Sequence, residues 1–100
     1  MILVQINFGF PPEMMGDSLS ENAKPLAESI NSEPGFISKI WIENIQTEES
    51  GGIYMFKDMD SAQKYVEMHT KRVEAMGAKN ITCKYFNVNE PLSIINLGIS

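Results

Sequence analysis

His69 is the only histidine in the chain, and an imidazole of ordinary pKa suits it to accept or pass a proton near neutral pH. The same residue type in the same place also serves as a buried histidine bonded to a backbone carbonyl or a tyrosine. Trp41, the only tryptophan, can stack on a flat aromatic ligand or pack in a core or interface. Glu43 lies two residues further on the same strand face. Beside an indole it can act as a carboxylate base, or it can form an ion pair or face water. Asn7, with Gln5 on the same side of the first strand, can contact a phenol or carbonyl oxygen of a ligand, or form a satisfied polar pair within an assembly. Tyr54 and Tyr85 can supply phenolic hydroxyls. Met14 and Met15 follow Pro11-Pro12 and suit an adaptable apolar loop.

Other chemistries lack their residues. One histidine and one cysteine, Cys83, exclude a Cys-rich zinc centre and disfavour any His-rich metal site. No Gly-x-Gly-x-x-Gly, phosphate-binding loop or Gly-x-Ser-x-Gly elbow occurs. The expectation is a chain without metal or organic cofactor. Thirteen acidic against eight basic side chains give a net charge of −5, which disfavours a nucleic-acid partner. No apolar run is long enough to cross a membrane, the first residues lack a signal peptide's charged start, and a lone cysteine fits a reducing cytoplasmic setting.

The elements that must position these residues follow from hydrophobic spacing. Ile2, Val4, Ile6 and Phe8 share one strand face, with Leu3, Gln5 and Asn7 on the other. Ser18 to Glu21 has capping-box spacing, and Leu19, Ala23, Leu26, Ala27 and Ile30 follow at helical intervals. Pro25 either bends that helix or sits in its first turn. Phe36 to Gln46 is a second strand, with Phe36, Ser38, Ile40, Ile42 and Asn44 on one face and Ile37, Lys39, Trp41, Glu43 and Ile45 on the other. Thr47 to Gly52 makes a hairpin loop, and Ile53 to Lys57 a third strand. Asp58 or Asp60 caps a helix whose stripe of Ala62, Tyr65, Val66, His69, Val73 and Met76 faces the sheet and whose end is Gly77. Asn80 to Val88 is the fourth strand. The tail from Leu92 to Ser100 is apolar enough to dock on the sheet or on a partner.

The order predicts an α+β fold of ferredoxin-like β-α-β-β-α-β type, with a four-stranded antiparallel sheet in a single domain spanning residues 1–100. Two helices cover one sheet face. Large apolar groups on both faces of the second strand call for a cover on the other, which a twofold homodimer supplies.

Gln5-Ile6-Asn7-Phe8, Lys24 to Asn31, Glu33-Pro34-Gly35-Phe36, Gly51-Gly52-Ile53-Tyr54, His69-Thr70 and Val88 to Ser93 together resemble the YdhR-type "putative monooxygenase" family over essentially the whole chain. The resemblance implies a dimeric α/β barrel. It also implies kinship with small cofactor-independent monooxygenases of polycyclic aromatic substrates, and with haem-degrading and antibiotic-biosynthesis relatives. Asn7 stands where a bacterial member of the family has a histidine, which keeps polarity and loses basicity. The expected function is oxygenation of a small planar aromatic compound. His69 would be its proton acceptor or orienter, Trp41 its stacking wall, and Asn7, Tyr54 and Glu43 further contacts. A histidine base of ordinary pKa would slow the reaction below pH ~6. The alternatives are a non-catalytic module that sequesters an aromatic ligand, and a haem-binding protein with His69 as axial ligand.

Overall fold

The computed structural model describes residues 1–99; Ser100 lies outside the described residues. Four strands, β1 (Ile2–Gly9), β2 (Phe36–Asn44), β3 (Glu49–Phe56) and β4 (Lys79–Asn87), form one antiparallel sheet in the order β2-β3-β1-β4. Two short helices, α1 (Asp17–Asn22) and α2 (Lys24–Ile30), join β1 to β2; α3 (Met59–Ala75) joins β3 to β4, and α4 (Glu90–Ile95) follows. This is the expected ferredoxin-like arrangement. Each outer connection passes over one sheet face, so β1 and β3 are central and bury their alternate residues beneath the helices.

The core lies between sheet and α3. Ile2, Val4, Ile6, Tyr54 and Phe56 from the strands meet Ala62, Tyr65 and Val66 from the helix. The α3 stripe is buried as its spacing predicts, from Ala62 to Val73, while Met76 at its end is exposed. Asp58 caps α3 by accepting the Ser61 N–H at 2.8 Å. Gly77, at φ 96°, takes the left-handed turn beyond the last residue.

Three local expectations are corrected, while Pro25 sits in a helix's first turn as one of its two readings had it. The segment after β1 is two helices divided at Ala23, with Pro25 in the first turn of α2. It has no capping box, because the chain enters α1 through Gly16 and Ser18 already lies inside the first turn. The hairpin turn is shorter than Thr47 to Gly52. Asn44 Oδ1 accepts the N–H groups of Gln46 and Thr47 and closes it early, so Gly51 and Gly52 lie inside β3. A Cβ on Gly51 would collide with the Ile6 carbonyl oxygen of β1, so only glycine lets the two central strands meet here. Lastly, the β2 register slips between Phe36 and Ser38. That bulge turns Phe36 onto the helix-covered face, where its ring meets Phe56 edge-on at 5.9 Å, away from Ile40 and Ile42.

The opposite sheet face carries Leu3, Ile53 and Met55, half-buried, together with Ile40 at 62% and Phe86 at 49% exposure. The tail covers little of it. Ile99 lines an open cleft with Met1, Ile37 and Met55, but Leu92, Ile94, Ile95 and Leu97 remain exposed. Among the described residues no helix is long and apolar enough to cross a membrane.

Candidate functional site

The site lies on the helix-covered face, where β2 and β3 pass beneath α1, α2 and α3. Antiparallel pairing sets Lys39 opposite Tyr54 and Trp41 opposite Gly52. From α3, one helical turn above, His69 comes down onto Tyr54. Gly52 leaves room for Lys39 beside Tyr54, because a Cβ there would fall 2.8 Å from both the Lys39 Cε and the Tyr54 ring.

His69 is 3% exposed and both ring nitrogens are engaged. Nδ1 lies 3.1 Å from Arg72 Nη2, and Nε2 lies 3.1 Å from the Tyr54 hydroxyl. A guanidinium donates and cannot accept. Arg72 therefore donates to Nδ1, and the single proton of the neutral ring sits on Nε2, where it is donated to the Tyr54 oxygen. Burial, then the charges of Lys39 and Arg72, hold the imidazole far below its usual range, at about 3. A ring held this low does not gain its proton near pH 6, where an ordinary imidazole does.

Tyr54, 1% exposed, is held protonated by burial first and then by the neighbouring Tyr65 phenol. Tyr65 stacks on His69 with ring centroids 5.1 Å apart, and Arg72 Nη2 reaches its hydroxyl at 3.5 Å. Arg72 thus ties two rings at once. Its Nε is buried and has no hydrogen-bond partner.

Lys39 is the cleft residue that the sequence pattern passes over. Its Nζ stands 3.4 Å from the centroid of the Trp41 ring and 4.5 Å from that of Tyr54. Burial, and then Arg72, lower its pKa to about 7. The available signal was its place two residues before Trp41 on a strand whose two faces both need covering.

These side chains enclose a cavity of about 30 Å³, lined also by Phe8, Phe10, Leu19 and Leu26. It suits a water molecule or dioxygen and is too small for a ring. On either side of the 37%-exposed Trp41 lie open clefts. One of about 420 Å³ lies between α1–α2 and Trp41 with Glu43, and one of about 370 Å³ lies between α2 and Lys39. Both are of small-ligand size.

The structure brings together His69, Tyr54 and Trp41 and sets Glu43 at the rim. Glu43 Oε2 accepts the Gly16 N–H at 3.1 Å, so it ties β2 to the start of the helical roof. Asn7 is separated from them. It lies on the other sheet face, where its Oδ1 accepts from Gln5 Nε2 at 3.3 Å. Tyr85 and Cys83 pair on β4; burial is the main cause that raises both, Tyr85 to about 12, so Cys83 remains a thiol. Met15 is buried and so is no part of a loose lid. Among the described residues no three His, Cys, Asp or Glu side chains gather as a metal site.

The sheet order and one-sided helices define a ferredoxin-like α+β protein with a ligand-sized cleft between helices and sheet. The chain belongs to the family described as "putative mono-oxygenase ydhR", whose model matches residues 3–99. Among solved structures it is similar to a "putative antibiotic biosynthesis monooxygenase" from Deinococcus radiodurans, with TM-score 0.66 and 7% identity over 89% of this chain and 93% of that one. It is also similar to the haem-degrader MhuD from Mycobacterium tuberculosis, which has two haems bound in its active site. There the TM-score is 0.62 and the identity 17%, over 87% of this chain and 95% of that one. At these identities the likeness is one of fold. A comparison with curated proteins found no match.

The lowered pKa of Lys39 has a consequence for stability. Below pH 7 the amine is protonated in both folded and unfolded chains, and the folded state bears the full cost of holding that charge. Between about 7 and 10 the unfolded chain binds the extra proton, so stability rises with pH. Wild-type protein should melt several degrees higher at pH 9 than at pH 7, a gain on the order of 1 kcal/mol. Lys39→Met should remove that rise and melt above wild type at pH 7. Thermal melts in which Lys39→Met keeps the full pH dependence would contradict the assignment.

Proposed function

We propose that the protein is a small monooxygenase that acts, without a resident cofactor, on a planar aromatic compound lodged against Trp41. The observation that carries this reading is a dioxygen-sized cavity, walled by Tyr54, His69, Trp41 and Lys39, directly beside clefts of aromatic-ligand size. Membership of the family supports it.

For a substrate such as an anthrone, a CH₂ group between aromatic rings loses one proton to the neutral Lys39 amine, which becomes an ammonium, and its electron pair spreads over the rings as an enolate. One electron passes to O₂, giving superoxide and a substrate radical, which combine in a C–O–O bond. The second proton leaves the same carbon, the O–O bond breaks, and the outer oxygen departs as water. The sum is CH₂ + O₂ → C=O + H₂O. The protein's part is to hold the ring, exclude bulk water and supply a positive field for the anion. Lys39 and Arg72 give that field. With its lone pair held by Arg72, His69 serves as orienter: its Nε2–H fixes the hydroxyl of Tyr54, whose side chain lines the cavity.

A haem does not fit the arrangement described. His69, the only histidine, has both nitrogens occupied, and the cavity beside it is about 30 Å³.

The functional partner is proposed to be a second copy of the chain. Ile40 and Phe86 stand exposed on the face opposite the helices, and the bonded pair Gln5–Asn7 lies among them, so sheet-to-sheet pairing would bury an apolar surface and keep its polar centre satisfied.

Two measurements test this reading. With an anthrone in the presence of chelator, the protein should consume O₂ with no flavin added. His69→Gln should slow the reaction about 10–100-fold through misplacement of Tyr54, while the shape of the rate–pH curve stays unchanged. Loss of a titration limb in His69→Gln would make His69 the base. Binding of planar phenols with no O₂ uptake would favour the sequestering module. Light scattering at micromolar concentration should give twice the mass of the chain; a stable monomer would remove the dimer.

A further inference from the structure

Lys39 is a cation with no anion of the protein to answer it, in a chain whose net charge is −5. Among the described residues the ion pairs are Met1 amino group to Glu90 and Lys64 to Asp60; neither Lys39 nor Arg72 has one. A lysine of this reach ordinarily turns its head to water. This one places Nζ over two aromatic rings, and its side chain lines both the enclosed cavity and the adjoining open cleft. The groups that face it are settled on every side. From α3 come Arg72 and neutral His69, and from β3 the Tyr54 phenol. From α2, Glu28 lines the same cleft but is exposed and beyond ion-pair distance, while Glu43 further along β2 is committed to the Gly16 N–H.

We infer that Lys39 receives an oxyanion carried by the planar ligand, so that the ring stacks on Trp41 in the open cleft while a phenolate, enolate or carboxylate oxygen meets Nζ. This rests on the aromatic-ligand reading above and narrows it to acidic planar aromatics, with neutral hydrocarbons excluded. A ligand that arrives as the acid gives its proton to the amine: the O–H bond breaks, an N–H bond forms, and the electron pair stays on oxygen. A ligand that arrives as the anion meets the ammonium. Both routes end in the same ammonium–oxyanion pair, a charge-assisted contact that aromatic faces alone do not replace. Because the amine of the free protein titrates near 7, an anion that binds at pH 8 must draw in a proton.

Calorimetric titration with 2-naphthoate and with neutral 2-naphthamide tests this at pH 8, in two buffers of different ionisation enthalpy. Wild type should bind the naphthoate ~10-fold or more tightly than the amide, with uptake of most of one proton. Lys39→Met should bind both probes alike with no uptake. Lys39→Arg, which stays charged, should keep the preference and lose the uptake. Equal affinities in wild type, or a preference that survives Lys39→Met, would overturn the inference. So would the absence of binding by either probe at millimolar concentration; O₂ uptake with an anthrone would then still support the oxygenase reading by itself.

Discussion

The contact between Arg72 and His69 Nδ1 governs the chemistry of the whole site. A guanidinium has only donors, so its approach leaves the imidazole one way to stay neutral, with the proton on Nε2. That proton is aimed at the Tyr54 oxygen, and Tyr54 in turn forms the floor over which Lys39 lies. The i, i+3 spacing of His69 and Arg72 on α3 puts the two side chains one turn apart on one face, and the pairing follows directly from helix geometry. Burial first, then the charge of Lys39 and last that of Arg72, deny the ring its positive charge.

A consequence is that positive charge in the site resides on the groups that flank the histidine. Arg72 brings its guanidinium, and Lys39 is balanced between amine and ammonium near neutrality. Burying such groups without carboxylates costs folding stability, and that cost is the kind expected where a site is arranged for a ligand's charge. In the roof, α1 and α2 are short and meet at Ala23; the start of α1 is tied to the sheet by one exposed hydrogen bond to Glu43, while Ile30 anchors the end of α2 in the core.

The fold was legible because its signals were periodic. Alternation in Ile2 to Phe8 and the 3.6-residue stripe on α3 state which faces are buried, and the structure buries those faces. What escaped was set by single residues acting across strands. The bulge that turns Phe36 inward pairs it with Phe56, and position 51 in β3 must be glycine because of the Ile6 carbonyl on β1; neither partner is near in sequence. Within the site, His69, Trp41 and Tyr54 stood out by rarity or type and do come together. Asn7 does not join them, since strand alternation places it on the other face from Val4 and Ile6. Lys39 looked like an ordinary strand lysine, because its unusual state comes from the burial around it and from Arg72, and sequence spacing carries neither.

Since His69 is the only histidine, its ring can be observed without ambiguity. ¹⁵N–¹H correlation spectra of the imidazole, recorded from pH 8 down to pH 4.5, test the central claim most directly. The account predicts a neutral ring with its proton on Nε2 and an unprotonated Nδ1, unchanged over that whole range, and a shift of Nδ1 in Arg72→Met as its donor is lost. A ring that titrates with a midpoint near 6.5, or one that carries its proton on Nδ1, would contradict it.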